Sequence, residues 1–266
     1  MIITKNFVIL NFPKTGSTFI RKVVKGIFYK RRKKNIWINA LYKLGLKLDF
    51  KELMTEHPTV TNYKDPHGCY DQIPDIDKNK IILSGVRDPY ERLESLYKFK
   101  WWAKYPPIAK NEIDTHFPNF PDLTFHQYLE LDALENEELK NKYGIDNNIK
   151  IGNQSIQFIR FFFKNHKEIL ANLNADYFIN GDYKGDLCAV NFIKNENLNE
   201  ELALFLLKYD FSEEEINYVR EHEKVNVTKT DGDNGLLFHE VVCYVNENEW
   251  ILLEVLSHLG FDYKRE

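Results

Sequence analysis

The clearest pattern along the chain is an apolar run, a turn and an amphipathic segment close to its start. Residues 7–12, Phe-Val-Ile-Leu-Asn-Phe, are almost continuously apolar, as expected for a strand covered on both faces of a parallel sheet. A turn follows at residues 13–16, and from Ser17 to Tyr29 apolar residues recur at helical spacing. Ser17 or a neighbour can cap this helix. The pattern predicts a strand, a turn and a helix over residues 7–29.

The same order of elements returns in the second quarter of the chain. Residues 80–86 predict another buried strand, Asp88 is placed as a helix N-cap, and Pro89 is placed at the first helical position. A third strand is predicted at Ala175–Ile179. Strands that alternate with helices indicate a three-layer α/β/α fold with a central parallel sheet. With no linker or repeat in the sequence, we expect a single domain over residues 1–266. Further helices are predicted at residues 125–143, 155–173, 200–209, 213–224 and 247–259.

Composition narrows the class of protein. Hydrophobic residues make up 43% of the chain, enough for a substantial core, and the net charge of −4 gives no global reason to expect nucleic-acid binding. Cys69, Cys188 and Cys243 are scattered and form no C-x-x-C pair, so we expect reduced thiols in a cytoplasmic protein. No apolar segment has the length of a membrane span, and we expect no membrane partner.

A run of five basic residues, 30–34, follows the first predicted helix. In one interpretation it is a solvated helix C-terminus that complements the helix dipole. In the other it contacts an anionic acceptor. The sequence leaves both open.

The turn after the first strand has the chemistry of a phosphate cradle. Residues 13–18, Pro-Lys-Thr-Gly-Ser-Thr, combine a lysine, three hydroxyl groups and a glycine at a helix N-terminus, where free N–H groups attract anions. A Walker A loop places its lysine after the second glycine, whereas Lys14 precedes the only glycine here, Gly16. This order resembles the 5′-phosphosulfate loop of sulfotransferases that use 3′-phosphoadenosine-5′-phosphosulfate (PAPS).

A second motif strengthens the resemblance. Residues 86–97, Val-Arg-Asp-Pro-Tyr-Glu-Arg-Leu-Glu-Ser-Leu-Tyr, resemble the family's 3′-phosphate motif, R-[DN]-P-x-x-R-x-x-S-x-Y. A guanidinium such as that of Arg87 can grip a phosphate with two hydrogen bonds, and Ser95 can add a hydroxyl. We expect structural roles for Arg92 and Tyr97. Softer resemblances lie at residues 153–154, 225–229 and 250–263.

The resemblance implies a P-loop-like sulfotransferase fold and transfer of a sulfonate from PAPS to an acceptor hydroxyl, without a metal ion. Lys14 would then counter charge on the oxygen that bridges phosphate and sulfonate. Arg87 and Ser95 would select the 3′-phosphate. The remaining implied donor-binding residues are Thr15, Gly16, Ser17 and Thr18 at the 5′-phosphate, and Asn226, Thr228 and Lys229 in a late loop over the nucleotide.

Transfer to a hydroxyl requires a base, and histidine is suited to that role near neutral pH. His67 stands just ahead of the second strand, in a place that resembles the family's catalytic histidine, and its H-x-x-Y context resembles the uronyl 2-O-sulfotransferase branch. His57 and Glu56 remain alternative bases.

The acceptor is the least constrained part of the prediction. Phe19 stands where cytosolic sulfotransferases of small molecules usually carry tryptophan, which favours a sugar or secondary metabolite. The aromatic segment 100–124 is either a sugar-stacking lid or a packed surface loop. Two other functions compete: a P-loop kinase, which would require a Walker-type lysine, and a non-catalytic protein that binds an adenine nucleotide.

Overall fold

The computed structural model of the chain describes residues 1–44, 49–56, 63–223 and 235–266. These residues fall into two compact units, one built from residues 1–87 and 188–223 and the other from residues 88–187 and 235–266. The chain is α/β: the first unit contains a mixed five-stranded sheet and its helices, and the second unit is built from helices.

The sheet of the first unit has the order β3-β1-β2-β6-β7. Strands β2, β6 and β7 are parallel, whereas β1 pairs antiparallel with both β2 and β3. A parallel sheet was therefore predicted correctly for three strands and wrongly for the whole. The strands are β1 (Ile2–Thr4), β2 (Phe7–Ile9), β3 (Phe50–Glu52), β6 (Ile81–Val86) and β7 (Val190–Lys194), while β4 (Thr55–Glu56) and β5 (Lys64–Asp65) form a separate antiparallel ribbon.

A tight turn explains why the first two strands are antiparallel. The Thr4 hydroxyl donates to the Phe7 carbonyl at 2.7 Å and accepts the Phe7 N–H at 2.9 Å. This side chain closes the reversal between β1 and β2, and only antiparallel strands can be joined by so short a connection.

The core of the first unit lies between the sheet and its helices. Helix α1 (Ser17–Lys34) buries its apolar stripe, Phe19 to Phe28, in one cluster with β2, and the ring of Phe7 stands edge-on to Phe205 with centroids 5.1 Å apart. The predicted helix is therefore confirmed and extends to Lys34. The other helices of this unit are α2 (Ile36–Lys43), α10 (Leu198–Leu206) and α11 (Glu213–Glu221).

The third predicted strand is wrong. Residues Ala175–Ile179 form a helix, because the Asn174 side chain accepts the N–H of Asp176 at 2.9 Å and starts a helical turn. The strand that completes the parallel part of the sheet is β7, whose residues are mostly half-buried and include Asn191 and Lys194. Its apolar signal is correspondingly weak.

Helices of the second unit follow the predicted pattern with two breaks. Asp88 caps the first of them by accepting the Tyr90 N–H at 2.8 Å. The predicted helix 155–173 is interrupted where Phe163 becomes extended and pairs with Leu187. The predicted helix 247–259 is likewise replaced by two helices. The helices are α3 (Pro89–Phe99), α4 (Trp101–Lys104), α5 (Lys110–His116), α6 (Phe125–Tyr143), α7 (Asn153–Phe162), α8 (His166–Ala171), α9 (Ala175–Ile179), α12 (Gly235–Asn248) and α13 (Trp250–His258).

The aromatic segment 100–124 contributes mainly to packing. Trp102 and Phe117 are buried in the apolar cluster of the second unit, which favours a packed loop over a lid for these two residues. Trp101 is half-buried and lies parallel to the ring of Phe99 at 6.3 Å. None of the helices within the described residues has both the length and the apolar character that crossing a bilayer requires.

Candidate functional site

Three parallel strands of the first unit end at the same edge of the sheet. Asn11 lies just beyond β2, Arg87 directly follows β6, and Asn195 directly follows β7. In α/β sheets, ligands bind beyond the carboxyl ends of the strands. This edge is therefore where the sequence motifs have to converge if they act together.

The loop between β2 and α1 contains two residues in the left-handed conformation that anion-binding nests use. Lys14 and Gly16 both adopt left-handed conformations, with φ of 63° and 82°. Left-handed residues that alternate with right-handed ones turn successive N–H groups toward one point. Gly16 is the N-cap of α1, so no capping side chain competes for the first-turn N–H groups, and the first turn carries no acidic residue. An anion can satisfy these donors.

Close packing holds this loop against the other two strand ends. A Cβ on Gly85, in β6, would lie 2.1 Å from the Thr15 carbonyl oxygen, and a Cβ on Gly16 would lie 2.8 Å from Oδ1 of Asn195. Thr15 is fully buried, and its hydroxyl donates to the Phe12 carbonyl at 2.9 Å. The Thr15 side chain thus closes the loop.

The predicted phosphate-binding residues of the first motif occupy one turn. Lys14 is half-buried in the loop, Ser17 is buried at the first helical position, and Thr18 is exposed. The predicted cap is the neighbour of Ser17, namely Gly16.

Residues of the second motif are divided between the two units. Arg87 is half-buried and follows Gly85 by two residues, which places it at the edge of the sheet that carries the Lys14 loop. Ser95 is buried in α3 of the second unit. Arg92 donates from Nη1 to Gln154 at 2.9 Å, and the Tyr97 hydroxyl donates to the Leu123 carbonyl at 3.0 Å. Both contacts are structural, as the sequence led us to expect.

The proposed base, His67, is anchored to the end of β2. Its Nδ1 lies in hydrogen-bond contact with the carbonyl oxygen of Asn11. Because a carbonyl can only accept, Nδ1 carries the proton, and the lone pair of the neutral ring is on Nε2. The backbone N–H of His67 donates to Oδ1 of Asp65 at 2.9 Å.

The surroundings of His67 favour its neutral form. Burial is the largest influence and lowers the pKa of the imidazole below its ordinary 6.5. The hydrogen bond to Asn11 and the charge of Asp65 oppose this shift, whereas Arg21 and the Met1 amino group reinforce it. At neutral pH the ring is therefore in the form that can accept a proton.

Several predicted residues lie outside the described part of the chain. These are the alternative base His57 and the three late-loop residues, and nothing in the structure bears on them. The backbone of Glu56 ends β4. The late-loop residues concerned are Asn226, Thr228 and Lys229.

Sequence reasoning missed residues that shape the site. Gly85 was treated as one residue of a strand, although a glycine inside a buried strand signals close approach by another backbone. Asn11 was treated as an interruption of an apolar run, although a polar residue there, 1% exposed, requires partners. Asp65 had no local signal.

The basic run 30–34 forms the C-terminal end of α1, and two of its arginines are paired with acidic residues of the same unit. Arg31 forms a two-pronged pair with Glu215 at 2.6 and 2.7 Å, and the buried guanidinium of Arg32 pairs with Asp49. At 1.5 Å per residue, these groups lie roughly 20 Å along α1 from its N-terminus. The structure favours the helix C-terminus interpretation over contact with the acceptor.

Within the described residues, no group of three or more His, Cys, Asp or Glu side chains is arranged to hold a metal ion. In three comparisons the chain matches no family model, no curated protein and no solved structure. Function therefore has to be inferred from the residues and their geometry.

Proposed function

We propose that this chain is a PAPS-dependent O-sulfotransferase that transfers a sulfonate to a hydroxyl of a carbohydrate or secondary metabolite. The observation that carries the proposal is the joint placement of a cation and a base at the end of β2. Lys14 lies in the left-handed loop, and His67 is held by Asn11, which precedes Lys14 by three residues.

The donor set fits a phosphosulfate. Residues 13–18 contain a lysine and hydroxyl groups but no carboxylate. The N–H groups of Gly16, Ser17 and Thr18 would hold the 5′-phosphate, as at other helix N-termini, and Arg87 would bind the 3′-phosphate. Ser95, Asn226, Thr228 and Lys229 stay predictions from the sequence resemblance.

The reaction is a single displacement at sulfur. The acceptor oxygen forms a bond to sulfur while the bond from sulfur to the bridging phosphate oxygen breaks, and that oxygen keeps the electron pair. Nε2 of His67 accepts the hydroxyl proton, and Lys14 stabilises the negative charge that develops on the bridging oxygen. Removing one such electrostatic donor commonly lowers a rate by ~10²–10³.

The mixed sheet is compatible with the fold that the resemblance implies. We propose a three-layer, P-loop-like sulfotransferase arrangement in which β2, the Lys14 loop and α1 form the 5′-phosphosulfate unit. The parallel strands β2, β6 and β7 support it because they bring Arg87 to the edge of the sheet that carries the loop.

Nucleotide binding tests the donor site directly. We expect calorimetric titration with adenosine 3′,5′-bisphosphate, the product of PAPS, to give micromolar affinity, and ATP–Mg²⁺ to bind far more weakly. Arg87→Ala should lose at least about tenfold in affinity, since a charged hydrogen bond contributes roughly 1.5–3 kcal/mol. Lys22→Ala, an exposed lysine on α1, is the charge-matched control. A preference for ATP–Mg²⁺ would favour the kinase.

Transfer assays test the chemistry. With radiolabelled PAPS and a panel of sugars and hydroxylated metabolites, Lys14→Ala should lose ~10²–10³ in kcat, and His67→Ala should lose ~10²–10⁴. Bisphosphate binding by His67→Ala should stay intact, because His67 acts on the acceptor. Full activity of His67→Ala would move the base to Glu56 or His57, and binding without transfer to any acceptor would favour the non-catalytic nucleotide-binding protein.

A further inference from the structure

We propose that Asn11 is a positioning residue for His67: its main chain and its side chain together clamp the segment Pro66–His67 and fix which ring nitrogen carries the proton. The catalytic meaning of this clamp depends on the proposed sulfotransferase function, whereas the clamp itself does not.

The clamp consists of two contacts from one residue to two consecutive residues. The Asn11 carbonyl oxygen meets Nδ1 of His67, and the Asn11 side chain donates from Nδ2 to the carbonyl oxygen of Pro66 at 2.9 Å. Both partners are more than fifty residues away along the chain. The ring is therefore held through its own nitrogen and through the peptide group that precedes it.

The asparagine at this position has an energetic cost that the clamp explains. Its side chain is 1% exposed, and its Oδ1 has no hydrogen-bond partner within the described residues. A buried acceptor without a donor costs about 1–3 kcal/mol. The preceding residues of β2 are apolar and fully buried, so leucine would suit this place better by packing alone. What asparagine adds is the Nδ2 donor that holds Pro66.

Fixing the tautomer matters because only one nitrogen of a neutral imidazole can accept a proton. Free imidazole exchanges between its two tautomers, and a ring released from Asn11 would share its proton between Nδ1 and Nε2. The charged groups that face His67 are Asp65, Arg21 and the Met1 amino group. None of them is removed by a substitution at Asn11, so their influence on the ring remains.

The test uses two substitutions that differ in their effect on stability. Asn11→Ala removes the side-chain contact and leaves a cavity. Asn11→Leu removes the same contact but fills the space and eliminates the unpartnered oxygen, so it should fold at least as stably as the parent chain. Ser84→Ala is the matched control, because the buried Ser84 hydroxyl donates to the carbonyl of Leu10 at 3.0 Å, one residue from Asn11, without a contact to His67.

Nitrogen-15 NMR of the histidine rings provides a readout that does not require activity. We expect Nδ1 of His67 to be fully protonated in the parent chain and in Ser84→Ala. In Asn11→Leu and Asn11→Ala the main-chain carbonyl of residue 11 remains, but without the Nδ2 contact to Pro66 the His67 segment can move away from it, so both ring nitrogens should show averaged shifts. In transfer assays the two Asn11 variants should lose about tenfold in kcat while the KM for PAPS stays within twofold. The acid limb of their pH profile should move to lower pH, because the hydrogen bond to Asn11 raises the pKa of His67 and burial, which lowers it, remains.

The two proposals fail in different ways. If Asn11→Leu folds and its His67 keeps the parent tautomer, the clamp is wrong whatever the enzyme does. If the NMR shifts change as expected but no variant binds the bisphosphate or transfers sulfonate, the clamp holds and the sulfotransferase function is wrong. A rise in the KM for PAPS as large as the fall in kcat would also contradict the clamp, because it would indicate general damage to the Lys14 loop.

Discussion

Position 16 requires glycine for two reasons: its backbone is left-handed, and its surroundings leave no room for a side chain. A Cβ at Gly16 would lie 2.5 Å from Leu198 and 2.8 Å from Asn195, so the helix that begins there sits tightly against the end of β7. Gly144, at the end of α6, has a similar φ of 69° but nothing within 4 Å of its Cβ position. A comparison of the two glycines therefore distinguishes the cost of a left-handed backbone, which both positions share, from the cost of steric overlap, which only Gly16 has.

We therefore expect Gly16→Ala to be far more damaging than Gly144→Ala. The left-handed conformation costs an alanine roughly 1–2 kcal/mol at either position. At Gly16 the overlap adds about 1–3 kcal/mol and displaces the N–H groups of the loop, so bisphosphate affinity should fall at least tenfold. Urea unfolding and calorimetry measure both effects. Equal losses of stability in the two variants, with unchanged binding by Gly16→Ala, would show that the contact with Leu198 is dispensable.

At the scale of elements, the two ends of α1 have different tasks. Its N-terminus belongs to the candidate site, while its last turn is tied to neighbouring acids. The Arg32 side chain is 6% exposed and pairs with Asp49, which is 15% exposed. The hydrogen bond to Asp49 raises the pKa of the guanidinium above its ordinary value, so the pair is ionised throughout the working pH range.

From this division we expect Arg32→Ala to affect stability without affecting the ligand. Breaking a buried ion pair leaves Asp49 without its partner and typically costs about 3–5 kcal/mol. Bisphosphate affinity should stay within twofold, because the pair lies roughly 20 Å along the helix from the loop. Lys33→Ala, an exposed neighbour, should change neither quantity. A tenfold loss of affinity in folded Arg32→Ala would revive contact between the basic run and an anionic ligand.

Elements with strong local signals were predictable from the sequence, and those defined by distant partners were not. The helix Phe125–Tyr143 was predicted to the residue, since Thr124 and Gln127 form a reciprocal cap at its start and Gly144 ends it. Strand β7 escaped prediction because it is short and half-buried, and its place depends on pairing with β6. In the candidate site, the sequence placed Lys14 and Arg87 after predicted strands, and the structure has them beyond β2 and β6, while their roles stay predictions. The role of Asn11 depends on Pro66 and His67, which no local pattern connects to it.

At the scale of the whole molecule, buried titratable groups give the two units opposite responses to pH. In the second unit, Glu249 is 1% exposed and accepts N–H groups from Gln154 at 3.0 Å and Ser155 at 2.7 Å, at the start of α7. Burial raises the pKa of this carboxyl from 4.5 to about 7, and the charge of Asp132 adds to the rise. In the first unit, burial lowers the pKa of His67.

The sign of each contribution follows from which state binds more protons. Between pH 4.5 and about 7 the folded chain keeps the proton on Glu249 while the unfolded chain has lost it, so this contribution to stability is lost as pH rises through 7. The buried Asp132, whose pKa is also raised by burial, acts in the same direction. His67 acts oppositely: the unfolded chain gains its proton at 6.5 and the folded chain only at lower pH, so stability falls as pH drops below 6.5.

Tryptophan fluorescence can follow the response of the second unit, because Trp101, Trp102 and Trp250 belong to it, while Trp37 in the first unit is 79% exposed and changes little on unfolding. We expect the urea midpoint of this signal in the parent chain to decrease as the pH is raised from 5 to 8. In Glu249→Gln, which has a neutral side chain of the same shape, the corresponding decrease in the free energy of unfolding should be smaller by up to about 3 kcal/mol, since each pKa unit corresponds to about 1.4 kcal/mol.

Glu254→Gln provides the control for that measurement. Glu254 lies on α13, five residues beyond Glu249, and its side chain is 38% exposed. Removing this partly solvated charge should leave the pH dependence parallel to that of the parent chain. If the pH dependence of the stability of Glu249→Gln is also parallel to that of the parent chain, Glu249 is ionised in the folded chain at pH 5. The three hydrogen bonds it accepts from Gln154 and Ser155 would then outweigh its loss of hydration, and α7 would begin on a permanent buried charge.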